Sequence, residues 1–252
     1  AACRISFPRS SASRNSICSM TVWLYYQRQC AQAAETFAQG QSEAENAALW
    51  QAAEAYNMAL AEKAEQFALT AEEREQIAAC LNPLGTGMMG SIEIPKIDVN
   101  LPIYQGTEEQ QLQSGCGWWL GTSLPTGGSG THCVITAHTG LTKAKLFTDL
   151  DRLETGDRFT LHILDRDMNY EVDQILVTEP EELAPLRIVP GEDLVSLYTC
   201  TPYGVNSHRL LVRGHRVEAE EADTERSFAW WSIPVAAVFP ILWLLRRIKR
   251  QK

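Results

Sequence analysis

The stretch that decides the fold occupies residues 194–217 and reads LVSLYTCTPYGVNSHRLLVRGHRV. One apolar run ends at Cys200, turn residues follow at 202–206, and a second apolar run opens at Arg209. Two neighbouring antiparallel strands joined in this way would bring the Cys200 thiol and the Arg209 guanidinium to the same rim of a sheet. Because a nearby cation favours the thiolate, the stretch predicts a reactive cysteine at this rim.

The composition of the chain limits the classes of function. It has 252 residues, of which 45% are hydrophobic, and this is enough for one sizeable core with further segments attached. The formal net charge of −9 argues against a nucleic-acid partner, because phosphate binding requires a basic face. The seven cysteines form no Cys-x-x-Cys pair and no Cys/His cluster with zinc spacing. We therefore expect no structural metal, no cofactor and no disulfide framework.

Residues 82–217 have the residue pattern of a mainly β domain. They begin with the linker-like residues 82–87, and glycine and proline clusters such as 125–130 separate short alternating runs. Many short strands with few helical runs between them indicate a closed or nearly closed β-barrel. The strands are expected at residues 92–95, 97–103, 132–137, 158–164, 170–177, 194–200 and 209–217.

Residues 29–81 precede this domain and have helical composition, rich in Ala, Glu and Gln and nearly free of Gly and Pro. Gly40 is a candidate break between two helices, and Thr70 followed by Glu73 has the pattern of a capping box that opens a third. We expect these helices to pack as a layer on the barrel. Residues 1–20 are Ser-rich and basic, and the sequence assigns no function to the N-terminal segment 1–28.

The C-terminal residues predict a membrane anchor. An acidic spacer at 218–227 leads into residues 228–245, which carry no charge and have Trp near both ends; five basic residues follow within 246–252. Length, aromatic flanks and basic tail indicate a transmembrane helix that ends in the cytoplasm. A helix lying on the membrane surface is disfavoured, because the run has no polar face.

This orientation places the barrel outside the cell, held in the cell membrane by a single C-terminal anchor. The barrel would then have to be exported across the membrane. Residues 1–28 show no export signal, so we expect the natural N-terminus to be missing or altered in this sequence.

A thiol that attacks an acyl carbon needs a proton-exchanging partner. His138 is the candidate, because it follows the apolar residues 134–137 and so lies at a strand-to-loop rim, as Cys200 does. His132 stands at the opposite edge of the same run, and His162 lies inside an alternating run where a surface role fits better. Position alone leaves open whether His138 is catalytic or a rim histidine of no special role.

Cys133 is the rival nucleophile, since it lies in the same run as His138. It sits inside an alternating stretch with no turn to expose it, which favours a packing role.

Three motifs meet at the candidate rim: AHTGL at residues 137–141, SLYTC at 196–200 and TPYGVNSHRLLVRG at 201–214. Together they resemble the sortase family, and most closely its class C, pilus-assembling members. Further stretches within residues 56–217 support the resemblance, at 90–97, 101–107, 121–125 and 145–150.

The resemblance implies an eight-stranded sortase β-barrel preceded by helices. It implies that Cys200 is the nucleophile, that His138 is the general acid/base, and that Arg209 faces the developing oxyanion or the substrate backbone. The implied reaction cleaves an LPXTG-like sorting signal after Thr through a Cys thioester, which a pilin lysine amine then resolves. A sortase that anchors surface proteins to peptidoglycan, and a catalytically silent scaffold that binds sorting signals, are the alternatives.

The sequence also departs from the family pattern. Ser196 replaces the usual Thr and keeps its hydroxyl, and Trp118-Trp119 stands where relatives often carry a His. The two tryptophans are candidates for a substrate groove, although packing or an exposed patch is favoured. Many class C members have an Asp-Pro-aromatic lid motif, and no Asp-Pro pair occurs in residues 29–81. Phe67 is a candidate substitute, but otherwise the site is expected to lack a recognisable lid.

Some other sortase classes hold calcium near a loop between two strands. The corresponding acidic residues here are interpreted as a solvated loop, and no metal is expected: Glu179, Glu181 and Glu182.

Overall fold

The computed structural model describes residues 43–139 and 145–218, together with Arg28. Eight strands close into a barrel in the order β1-β2-β3-β4-β7-β8-β6-β5. They are β1 Met88–Ile94, β2 Val99–Gln105, β3 Cys116–Trp118, β4 Thr131–Thr136, β5 Arg158–Ile163, β6 Arg166–Thr178, β7 Asp193–Thr201 and β8 His208–Val217.

The barrel confirms the mainly β, eight-stranded part of the predicted fold class, and it contains one strand beyond the seven expected from local patterns. Strand β3 is only three residues long, which is too short for apolar and polar residues to alternate visibly. It pairs in parallel with β2 and antiparallel with β4. This short strand therefore joins the first hairpin to the strand that leads to His138.

The strands present two apolar faces. One face fills the barrel interior with fully buried side chains such as Leu161 and Leu197. The opposite face of β4, β7 and β8 carries a second buried group. We call this second group the outer cluster; its members are Val134, Leu186, Tyr198 and Leu211. Because side chains alternate along a strand, a residue two positions from an outer-cluster residue points the same way.

Within residues 43–87, two helices precede the barrel: α1 Glu43–Ala61 and α2 Ala71–Ala79. The predicted capping box at the start of α2 is confirmed, since the Thr70 hydroxyl accepts from the Glu73 N–H and the Glu73 carboxylate accepts from the Thr70 N–H. Buried Asn57 ties α1 to the barrel. Its amide donates to the Leu124 carbonyl at 3.0 Å and accepts from the Leu124 N–H at 2.7 Å. These two bonds hold α1 against the barrel.

A third helix, α3 Glu109–Ser114, connects β2 to β3. The expected break at Gly40, the membrane helix at 228–245 and the basic tail at 246–252 lie outside the described residues. Within residues 43–139 and 145–218, no helix is both long and apolar enough to cross a bilayer.

Candidate active site

Cys200 and Arg209 lie opposite each other at the rim of the barrel. Cys200 is near the end of β7 and Arg209 near the start of β8, and the antiparallel register pairs the two residues directly. Side chains of directly opposed residues point to the same face of a sheet. The thiol and the guanidinium therefore share a face, as the sequence predicted.

The turn between β7 and β8 orients the guanidinium. The N–H groups of Val205 and Asn206 both donate to the Pro202 carbonyl, at 3.0 and 2.9 Å, which closes the turn. Nη1 of Arg209 then donates to the carbonyls of Asn206 and His208, each at 3.0 Å. These two bonds restrict the rotamers of Arg209 and hold its positive charge at the rim.

Backbone pairing brings His138 to the same rim as Cys200, because the pairing of β4 with β7 continues past the end of β4. The Ala137 N–H donates to the Tyr198 carbonyl at 3.3 Å, and the Thr199 hydroxyl donates to the Ala137 carbonyl at 2.7 Å. One residue further along each chain come His138 and Cys200. The three residues singled out from the sequence thus meet at one rim of the barrel.

The outer cluster forms the floor that leads to Cys200. Tyr198 belongs to this cluster and lies two residues before Cys200 on β7, so both side chains point to the outer face. Trp119 packs edge-to-face on Tyr198, with ring centroids 5.1 Å apart. Trp118 is instead fully buried in the barrel core, and its indole donates to the Ser123 carbonyl at 2.8 Å. Of the two adjacent tryptophans, one packs the core and the other lines this floor.

Charged groups also surround Tyr198. Burial raises the pKa of Tyr198, the positive charge of Arg209 opposes this rise, and the carboxylate of Glu181 adds to it. The acidic loop reaches the same rim, because Oε1 of Glu179 lies 3.3 Å from Nε2 of a β8 histidine, His208. The three acidic residues of this loop are exposed, as expected of a solvated loop, and Glu179 also contacts His208. In the described part of the chain, no three His, Cys, Asp or Glu side chains group as metal ligands would.

Cys200 differs from the other described cysteines in its exposure. Cys80, Cys116 and Cys133 are buried, whereas Cys200 is partly exposed. Burial raises the pKa of the Cys133 thiol strongly, which suppresses its reactive thiolate. The packing role predicted for Cys133 agrees with its place in the barrel core.

His132 and His162 have the structural surroundings expected of non-catalytic histidines. His132 is buried; its Nδ1 donates to the Arg187 carbonyl at 2.8 Å, so its Nε2 accepts from the Ser196 hydroxyl at 2.7 Å. Burial lowers the pKa of His132, which keeps the ring neutral. His162 lies at the surface, with Nδ1 2.7 Å from the Asp167 carboxylate. The hydroxyl retained at Ser196 thus has a structural partner.

Glu109 contacts His138 and was not identified from the sequence. Its Oε2 lies 3.3 Å from Nε2 of His138, and its Oε1 accepts from the Gln113 side chain at 2.8 Å. The bond from Gln113, and to a lesser extent the charge of His138, lowers the pKa of Glu109. The two residues are 29 positions apart, on α3 and after β4, so no local sequence pattern links them.

A short segment between α1 and α2 lies on the outer cluster, and it contains Phe67, the residue considered from the sequence as a substitute for a lid. Buried Gln66 donates to the Gly121 carbonyl at 3.2 Å and accepts from the Ile188 N–H at 3.0 Å. Phe67 packs against the outer cluster. Contact with this segment is close, because a Cβ at Gly121 would come within 3.1 Å of the Phe67 Cα. Residues 66–67 therefore cover part of the face that carries Cys200; we call them the covering segment.

A partly exposed thiol flanked by an imidazole and a fixed guanidinium defines a class of enzymes that transfer acyl groups through a thioester. A model of the sortase domain matches residues 92–217. Sortase C1 from Streptococcus agalactiae is 41% identical, with a TM-score of 0.74, and the match covers 77% of this chain and 100% of that one. Sortase C from Streptococcus pneumoniae is 43% identical, with a TM-score of 0.67, over 76% of this chain and 97% of that one. The chain belongs to the sortase family.

Curated relatives match more distantly. Sortase A from Streptococcus agalactiae is 28% identical over 45% of this chain and 47% of its own length. Sortase D from Bacillus subtilis is 26% identical over 51% of this chain and 63% of its own length. The chain thus spans about half the length of the curated relatives it matches. Its likeness to class C sortases lies in the solved structures at about 40% identity.

Proposed function

We propose that this sortase polymerises pilins by cleaving an LPXTG-like sorting signal after Thr and joining it to a lysine amine of another pilin. The single observation that carries this proposal is the meeting of Cys200, His138 and Arg209 at one rim of the barrel. The pilin assignment is supported by the likeness to sortase C from Streptococcus pneumoniae, which is described with pilin substrate specificity.

The proposed reaction has two balanced steps. In the first, the Cys200 thiolate attacks the Thr carbonyl carbon, the Thr–Gly bond breaks, and protonated His138 gives its proton to the leaving Gly amine. In the second, the lysine amine attacks the thioester, its proton passes to His138, and Cys200 leaves as a thiolate. Arg209 faces the oxyanion that develops in each step. The product is an isopeptide bond, and the enzyme returns to its starting state.

We also propose that the enzyme acts at the outer face of the cell membrane, anchored through residues 228–245. Support comes from the uncharged run, its aromatic flanks and the basic residues that follow. Membrane fractionation of the full chain and of a chain ending at residue 227 tests this. With a secretion signal added in front of both chains, the full chain should sediment with membranes and be digested by protease added to intact cells. Equal solubility of the two chains would contradict the anchor.

Product analysis separates the proposed function from its alternatives. The full chain is incubated with an LPXTG-like peptide and with two amines, a pilin peptide that contains lysine and a peptidoglycan-precursor amine. Mass spectrometry should find the isopeptide with the lysine peptide. Transfer only to the precursor amine would favour cell-wall anchoring, and peptide binding without cleavage would favour a silent scaffold.

A further inference from the structure

We infer that Glu109 is a positioning residue, whose carboxylate accepts a hydrogen bond from Nε2 of His138 and holds the imidazole at the rim for proton exchange. This inference rests on the proposed function, in which His138 carries the proton between Cys200, the leaving amine and the acceptor amine. It adds a fourth residue to the site, supplied by the helix between β2 and β3.

The geometry gives Glu109 a defined orientation. Oε2 of Glu109 lies 3.3 Å from Nε2 of His138, while Oε1 accepts the Gln113 amide at 2.8 Å. Gln113 is one helical turn further along α3, so this second bond restricts the rotamers of the glutamate. The carboxylate is thus oriented by its own helix as well as by the histidine, while 65% of the side chain is exposed.

Among the described charged groups near His138, Glu109 is the one whose carboxylate contacts the imidazole ring. Among the described residues, Cys200 on β7 and Arg209 on β8 share the rim with His138. The 145–149 segment donates one backbone N–H to the His138 carbonyl at 3.2 Å, and its two charged residues pair with each other at 3.1 Å: Lys145 and Asp149. The carboxylate that contacts the imidazole ring comes from α3.

The contact has a chemical consequence. A carboxylate that accepts from Nε2–H leaves Nδ1 as the nitrogen that exchanges a proton with the reacting groups. Its negative charge also favours the protonated ring, which is the form that must protonate the leaving amine. The carboxylate is available over the working pH range, because the pKa of Glu109 is lowered by Gln113 and by His138.

The chain offers a matched control one residue away. Glu108 precedes α3, is exposed, and makes no side-chain capping bond. Glu108→Gln removes the same charge from the same segment without removing the contact to His138. Glu109→Asp retains a carboxylate and serves as the conservative variant.

The test is the pH profile of kcat/KM for cleavage of the peptide Leu-Pro-Glu-Thr-Gly by the full chain in detergent. Removing the carboxylate destabilises the protonated ring, so His138 should lose its proton at lower pH and the alkaline limb of Glu109→Gln should move to lower pH. At the wild-type optimum, the expected loss in kcat/KM is about two- to fivefold, as for an exposed ion pair. Glu108→Gln should retain the wild-type profile, and Glu109→Asp should shift it less than Glu109→Gln does.

Histidine NMR of the full chain gives a second measurement that needs no turnover. The His138 signals are assigned by comparison with His138→Gln. The His138 ring should stay protonated up to a higher pH in wild type than in Glu109→Gln. Coincident titrations, or an equal change in Glu108→Gln, would overturn the inference. If wild type cleaves no peptide, the proposed function fails, and the NMR titration still decides the role of Glu109.

Discussion

The catalytic rim and the covering segment lie on the same face of the barrel but are held by different interactions. The rim is fixed by backbone pairing, since strand register sets Cys200 against Arg209. The covering segment is held by the two ends of one side-chain amide, that of Gln66, and by one aromatic ring, that of Phe67. Because strand pairing sets the geometry of the rim, that geometry should survive a change in one side chain. The covering segment depends on two side chains, so a single substitution can loosen it.

The largest effect is expected at the rim, from Cys200→Ala. Without the thiol no thioester forms, and we expect cleavage of an LPXTG-like peptide to fall by about 10⁴-fold or more, as for loss of other catalytic nucleophiles. Peptide cleavage followed by mass spectrometry measures this.

The control is Cys80→Ala, which removes a buried thiol far from the rim in sequence. It should keep activity. Cleavage by Cys200→Ala at the wild-type rate would show that Cys200 is not the nucleophile.

The comparison of the two regions also explains what the sequence could predict. The β7–β8 hairpin, the other long strands and the Thr70 capping box follow from local patterns, because turn residues and alternation lie within a few positions of one another. The rim was therefore predictable once the strands were known to be neighbours.

Other features depend on contacts between distant residues. Gln66 bonds to backbone groups 55 and 122 positions away, and Glu109 reaches His138 across 29 positions. A single amide or carboxylate produces no repeating pattern along the chain, so these contacts could not be derived from one sequence. The same reason applies to the three-residue strand β3.

The next largest effect is expected from a change at Arg209. It tests whether the site needs the several N–H donors of a guanidinium or only a positive charge. In Arg209→Lys the charge remains, but one ammonium cannot replace a guanidinium held by two carbonyls. We expect kcat/KM for peptide cleavage to fall by about 10²–10³-fold, as on loss of an oxyanion partner.

Arg213→Lys is the matched control, because Arg213 lies four residues along β8 and pairs with Asp173 away from Cys200. It should remain near wild type. Equal losses in the two variants would show that β8 needs arginine for stability and not for catalysis.

The covering segment should respond to Gln66→Ala by uncovering the site. This change removes two buried hydrogen bonds, which typically contribute about 1 kcal/mol each, and water replaces part of that loss. We expect alkylation of Cys200, followed by peptide mass spectrometry, to become about tenfold faster.

The neighbouring change Glu65→Ala is the control, since Glu65 is exposed and lies next to Gln66. Its labelling rate should stay at the wild-type value. An unchanged rate in Gln66→Ala would mean that the two bonds do not limit access to the thiol.

The smallest effect is expected from Phe67→Ala. This change removes the aromatic ring but leaves in place the hydrogen bonds of the neighbouring Gln66 amide. Phe67 is partly buried against the outer cluster, so truncation removes only part of the burial energy of a full aromatic ring, about 1 kcal/mol. This corresponds to Cys200 alkylation about fivefold faster than in wild type.

The control is Tyr203→Ala, because Tyr203 lies on the turn between β7 and β8 and is 67% exposed. Acceleration by Phe67→Ala alone would assign the ring to the cover; equal acceleration by Tyr203→Ala would show that any aromatic near the rim slows the reagent. Since a substrate peptide must reach the same thiol, acceleration of labelling together with a lower KM for peptide would extend the effect from small reagents to substrate access.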